Sequence, residues 1–87
     1  MKTVQEVVND GRVAQELMRQ LDPHVNALRA RYKDRWAQVD CGADEREELH
    51  RKVIVLEQLE AEILRTVQEG RVAQEIVRSE MELKHGR

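Results

Sequence analysis

Large side chains that could fill a core are scarce in this chain of 87 residues. It has no phenylalanine, and Tyr32 and Trp36 are its only aromatic residues. A chain this short buries a modest fraction of its surface, so a monomer of this composition would be only marginally stable. Burial shared with a second copy is the simplest remedy, and we therefore expect a homo-oligomer.

Cysteine is also scarce, and long apolar runs are missing. Cys41 is the single cysteine, which excludes an intramolecular disulfide and a zinc site built on a cysteine pair. The longest apolar run covers residues 53–56, too short for a signal peptide or a membrane span. We predict a cytoplasmic protein that makes no membrane contact.

Charge of one sign is not in excess, since the net charge is −2. No segment forms a basic stripe that would release many counterions from a nucleic acid. Nucleic acid is therefore disfavoured as a partner.

What the sequence does contain is helical periodicity, which predicts an all-α fold of three helices in a single domain, residues 1–87. The first is predicted at 4–21, because Thr3 and Glu6 form a capping pattern before it. Apolar or small residues then follow at three- and four-residue steps, namely Val4, Val7, Val8, Gly11, Ala14, Leu17, Met18 and Leu21.

The second helix is predicted at 23–39, because Asp22 is a good N-cap and Pro23 suits the first helical position. Tyr32 and Trp36 lie on its apolar stripe, and we interpret this pair as core. The loop that follows contains Gly42, which can take the left-handed conformation that terminates a helix.

A third, coiled-coil-like helix is predicted at 45–84, with residues 1–2 and 85–87 frayed. Its length of roughly 60 Å is about the summed length of the first two helices, so either they lie end to end along it or its far half pairs with another chain. The fold that we predict is a helical bundle completed by oligomerisation. The apolar stripe consists of Leu49, Val53, Leu56, Leu59, Ile63, Val67, Gly70, Ala73, Ile76, Val77 and Met81.

The hexapeptide Gly-Arg-Val-Ala-Gln-Glu occurs twice, at 11–16 and at 70–75. Gly11 with Ala14, and Gly70 with Ala73, put two small residues on one helix face, where another helix can approach closely. Two alternatives for close packing remain open: the two segments pack against each other, or each meets its counterpart in another subunit. The other interpretation is that the small residues are simply a narrow stretch of an ordinary core.

Residues that would carry chemistry are few. Glu47 and His50 have the spacing of a carboxylate–histidine metal pair, but Leu49 defines the core face, which favours a solvated helix start. The acidic neighbours of Cys41 oppose thiolate formation. We predict a protein that is not an enzyme and has no cofactor and no metal.

The order of these features resembles small helical proteins of tailed phages and prophages. The resemblance rests on the first hexapeptide followed by Leu17, then Asp22-Pro23, Tyr32 and Trp36, the charged segment 46–48, and the second hexapeptide. It resembles more loosely the oligomerisation helices of small terminase subunits, without their basic helix-turn-helix. The resemblance implies expression inside a bacterial host cell and a role in binding a host or virion protein.

We therefore predict a non-catalytic protein–protein interaction and assembly module that self-associates through its long C-terminal helix. The predicted interface residues are Leu56, Leu59, Ile63, Val67, Gly70, Ala73, Val77, Gly11, Ala14, Tyr32 and Trp36. One alternative is a small phage inhibitor of a host defence or transcription complex. Another is a nucleic-acid or nucleotide binder that uses Arg29, Arg31, Tyr32, Arg35 and Trp36.

Overall fold

The chain folds into two long antiparallel helices joined by a short turn, and a computed structural model describes residues 1–85. Helix α1 spans Val4–Trp36 and helix α2 spans Ala43–His85. The hairpin measures 70 × 24 × 16 Å and has a Cα radius of gyration of 19.5 Å. A compact chain of this length would have a radius of roughly 12 Å. The protein is therefore an elongated rod built on one helix–helix contact.

The all-helical class is as predicted, but the division into three helices is wrong, because α1 continues through Asp22 and Pro23. A proline inside a helix removes a backbone hydrogen bond and costs about 3 kcal/mol. Apolar side chains continue in phase across it: Leu21 and Leu28 are half-buried, and Val25 is 6% exposed. Packing of this unbroken face against α2 offsets the cost of the proline.

The turn between the helices also differs from the prediction, since α1 ends at Trp36 and not at residue 39. Its cap is Ala37, which has right-handed backbone angles (φ −77°, ψ −9°). No glycine in residues 1–85 has a positive φ, so the predicted left-handed Gly42 is wrong. The side chain of Arg46 instead donates from Nε to the carbonyl of Trp36 at 3.2 Å, which satisfies one of the free acceptors at this helix end.

The start of α1 and the span of α2 are close to the predicted ones. Thr3 caps α1 as predicted, because its Oγ1 accepts a hydrogen bond from the Glu6 N–H at 3.1 Å. The long helix predicted at 45–84 corresponds to α2. The predicted fraying of residues 86–87 lies outside the described part of the chain.

Candidate assembly surface

The backbones of the two helices touch where Gly11 faces Gly70. A Cβ atom added to either glycine would lie 2.7 Å from the Cα of the other, closer than real Cβ contacts occur. The Cβ added to Gly11 would also lie 3.3 Å from the Thr66 carbonyl oxygen, and the Cβ added to Gly70 would lie 3.2 Å from the Val7 carbonyl oxygen. Only glycine fits at both positions. Of the two alternatives for the repeated hexapeptide, the structure contains the intramolecular one.

The repeat corresponds to an approximate local twofold axis between the two glycines. Residues 59 positions apart occupy equivalent places, and Val7 and Thr66 make the mirrored backbone contacts. Burial matches as well: the pairs are Val8 and Val67 at 5% and 4%, and Ala14 and Ala73 at 7% each. Because the helices are antiparallel, this axis is perpendicular to the plane of the hairpin. We call this region the glycine crossing: Val8, Gly11, Ala14, Val67, Gly70 and Ala73.

Most of the predicted interface residues lie at the contact between α1 and α2. Five are buried there, namely Gly11, Ala14, Val67, Gly70 and Ala73, and four are half-buried, namely Tyr32, Leu56, Ile63 and Val77. Leu59 and Trp36 are 47% and 50% exposed. Any role of this set between chains stays a prediction.

One face of the hairpin carries apolar side chains that the helix pair leaves uncovered. Val13 and Leu17 of α1 border a groove of about 330 Å³ whose other wall includes Ile63 and Thr66 of α2. Farther along α2, Val72, Ile76 and Leu83 line a second groove, which they share with Arg71, Glu75, Ser79 and Glu80. We define this front face as Val13, Leu17, Val55, Leu59, Val72, Ile76 and Leu83, with exposures from 42% to 81%.

The local twofold preserves the front face, since its axis is perpendicular to that face. Val13 is equivalent to Val72, at 69% and 61% exposure, and Leu17 is equivalent to Ile76, at 42% and 48%. These four side chains therefore surround the glycine crossing symmetrically on its front side.

The opposite face, which we call the back face, is basic near the crossing. It carries the exposed residues Arg12, Arg19, Arg71 and Arg78, again as two pairs 59 positions apart. Arg12 and Arg78 line one groove, whose other residues are Gln5, Val8, Gln74, Val77, Met81 and Glu82. Near the crossing the two faces thus differ in their exposed side chains: the back face carries the four arginines, and the front face carries Val13, Leu17, Val72 and Ile76.

The front face was not predicted, because the apolar stripes inferred from the sequence are wider than the contact between the helices. Leu17 and Ile76 were predicted to point inward, whereas the structure leaves both partly exposed. The signal that could have separated them is a seven-residue period in α1, through Val4, Gly11, Met18, Val25 and Tyr32. If these residues point inward, position 17 falls to one side.

The turn end of the hairpin is held by charged side chains. Arg35 donates to Glu45 from Nε and a terminal nitrogen, each at 2.7 Å, and to Asp40 at 3.1 Å. The hydrogen bonds to Glu45 and Asp40 raise the pKa of Arg35, and Arg35 lowers the pKa of Glu45 below its usual range. Arg29 pairs with Glu60 farther along. These pairs fix α1 to α2.

Tyr32 and Trp36 lie near the surface at this end, so interpreting Trp36 as core was wrong. The Arg46 guanidinium stacks 5.0 Å from the centre of the Trp36 ring, and the Lys52 ammonium lies 5.7 Å from that of Tyr32. A cleft of about 220 Å³ opens here, lined by Tyr32, Lys33, Trp36, Leu49, His50 and Val53. The cleft is smaller than typical small-molecule pockets, which start at about 300 Å³. It therefore fits a side chain better than a nucleotide.

The residues considered for metal or redox chemistry are separate in the structure. Glu47 forms an ion pair with Arg51 at 3.6 Å, while His50 lines the aromatic cleft. Cys41 is 4% exposed in the turn. Across residues 1–85, no three His, Cys, Asp or Glu side chains gather as a metal-binding set.

Comparisons with known proteins add no family to this description. Family models, curated proteins and solved structures yield no match to the chain. Within residues 1–85, neither helix combines the length and apolar character needed to cross a membrane. What the hairpin does is therefore inferred from its own residues.

Proposed function

We propose that this protein is a non-catalytic protein–protein interaction module that self-associates as a helical hairpin. The observation that supports this is the imbalance between buried and uncovered apolar side chains. The buried set in residues 1–85 is small: Val8, Ala14, Val25, Cys41, Leu49, Val67 and Ala73. The front face alone leaves seven valine, leucine and isoleucine side chains between 42% and 81% exposed. Removing apolar surface from water stabilises an assembly by about 25 cal/mol per Å².

The charged residues support a binding role over a catalytic one. Arg35 and Glu45 have shifted pKa values because they are paired with each other across the hairpin. Such a pair holds two helices together and leaves neither group poised for proton transfer. Arg29 and Arg35, two arginines of the nucleotide-binding alternative, are paired with carboxylates. These paired charges therefore favour a binding role, and the uncovered apolar side chains favour self-association.

The setting that we propose follows from the resemblance described above. A product of a tailed-phage or prophage genome would assemble in the cytoplasm of a bacterial cell, alongside host or virion proteins. Co-purification of the tagged chain with an untagged copy from bacterial cells tests self-association in that setting. Recovery of the tagged copy alone would contradict it.

The direct test is the absolute mass in solution, measured by light scattering across a tenfold range of concentration. We expect a mass that is a multiple of the 10.2 kDa chain and persists on dilution. A 10.2 kDa species at every concentration would overturn self-association. The front face would then be available to a different protein, as the inhibitor alternative requires.

A further inference from the structure

We propose that the front face is the docking surface for a second copy of the chain, so that two hairpins pack face to face around their glycine crossings. This inference rests on the proposed function, self-association, and adds the face, the partner and the stoichiometry. The central contacts would come from Val13, Leu17, Val72 and Ile76 of both copies.

The first argument is the amount of surface that the hairpin leaves uncovered. The chain exposes 7105 Å², whereas a compact monomer of the same mass exposes roughly 5,300 Å². The excess is therefore about 1,800 Å². Permanent dimers bury about 2,000–5,000 Å² in total, or about 1,000–2,500 Å² on each partner. One interface between two hairpins would remove an excess of this size.

The second argument is the symmetry of the face. A closed dimer requires a surface that is complementary to itself. The local twofold already places equivalent apolar pairs, Val13 with Val72 and Leu17 with Ile76, on the two sides of the crossing. A second hairpin turned over onto this face meets the same pattern of apolar side chains. The surface therefore suits a copy of itself.

The third argument is charge, which separates the two faces. Arg19 and Arg78 on the back face are paired with Glu16 and Glu75, so two back faces in contact would chiefly oppose Arg12 and Arg71 to their own copies. Like charges opposed across an interface cost several kcal/mol. On the front side the groove beside Val13 holds the carboxylates of Asp10 and Glu62, which pair with Lys2 at 2.6 Å and with Arg65 at 2.7 Å. Front-to-front docking avoids opposing the arginines.

The test compares exposed apolar positions within the front face and outside it. Leu17→Lys and Val72→Lys put a charge on the front face, and Leu64→Lys puts one elsewhere on α2. Leu17 and Leu64 are 42% and 45% exposed, so both substitutions disturb the hairpin to a similar degree. We expect each front-face change to raise the dimer dissociation constant about 100-fold, as at the centre of an interface. We expect Leu64→Lys to change it less than about threefold.

Light scattering gives the mass of each variant, and circular dichroism checks that each keeps its helix content. If a lysine variant loses helix, Val72→Ser takes its place. A dimer that Leu64→Lys dissociates and Val72→Lys does not would overturn the front face while leaving self-association intact. A wild-type mass above two chains would overturn the face-to-face dimer in the same way. A wild-type monomer would overturn the proposed function itself.

Discussion

The two ends of the hairpin join the same helices by opposite means. At the glycine crossing, Gly11 and Gly70 bring the backbones into contact with no side chain between them. At the turn end, Arg35 and Glu45 span the gap with long charged side chains that meet at 2.7 Å. The glycine crossing depends on the absence of side-chain atoms, and the turn end depends on the length of two charged side chains.

The difference indicates which positions of the hairpin tolerate substitution. A backbone contact cannot adjust to an added carbon atom without moving a whole helix, because interiors are close-packed. Long side chains adjust by rotation, and their charges remain partly in water, where ion pairs are weak. The glycine crossing should therefore be sensitive to the smallest additions, and the turn end should tolerate larger ones.

The largest effect that we expect follows from Gly70→Leu. Its side chain would occupy the space that the Gly11 backbone already fills, and the helices would have to separate around it. Overpacking of this kind costs about 3 kcal/mol, more than the helix propensity that leucine contributes. Urea unfolding followed by circular dichroism measures the loss of stability.

The matched control is Gly42→Ala in the turn. A Cβ atom there meets nothing within 4 Å, and the backbone angles of Gly42 suit any residue. We expect unchanged stability or a gain of up to about 1 kcal/mol from a less flexible unfolded chain. Equal losses for the two substitutions would show that the close contact contributes nothing specific.

A second prediction sharpens the symmetry of the crossing. Gly11→Ala and Gly70→Ala each place a methyl group against the Cα of the opposite glycine, so we expect similar losses of about 1–3 kcal/mol. The first alanine already separates the helices, so the double variant should lose less than the sum, by about 1 kcal/mol. Additive losses in the double-mutant cycle would argue against a shared contact.

The smallest effect that we expect is at the turn end, from Arg35→Gln. Because Arg35 lowers the pKa of Glu45 below its ordinary value of 4.5, the pair stabilises the fold above that pH. This contribution disappears as the pH falls through the lowered pKa and Glu45 becomes protonated. The wild type should therefore melt at a higher temperature than the variant at pH 7, with the gap closing below pH 4.5.

Melting curves followed by circular dichroism at several pH values test this prediction. Arg31→Gln, a change at an exposed arginine of the same helix, is the control and should show little dependence on pH. A gap between wild type and Arg35→Gln that persists unchanged in acid would contradict an ionic role for the pair.

Local signals in the sequence were enough for several elements. Thr3 was recognised as a cap because its pattern with Glu6 is read within four residues, and the long helix α2 was predicted because no proline interrupts it. The break predicted at Pro23 was wrong because it also relied on a local signal. Locally, proline suits the start of a helix, and only the packing against α2 shows that α1 passes through Pro23. Trp36 likewise sits on an apolar stripe in sequence but outside the helix contact.

The sequence by itself determined that the protein is helical and that two small-residue segments could approach closely, because periodicity and glycine spacing are properties of single helices. The fold alone shows that these segments are each other's partners, since burial depends on which helix lies opposite. It also decided which apolar residues remain uncovered. Leu17 and Ile76 carry the same kind of side chain as their inward neighbours, and the position of the second helix alone leaves them facing water.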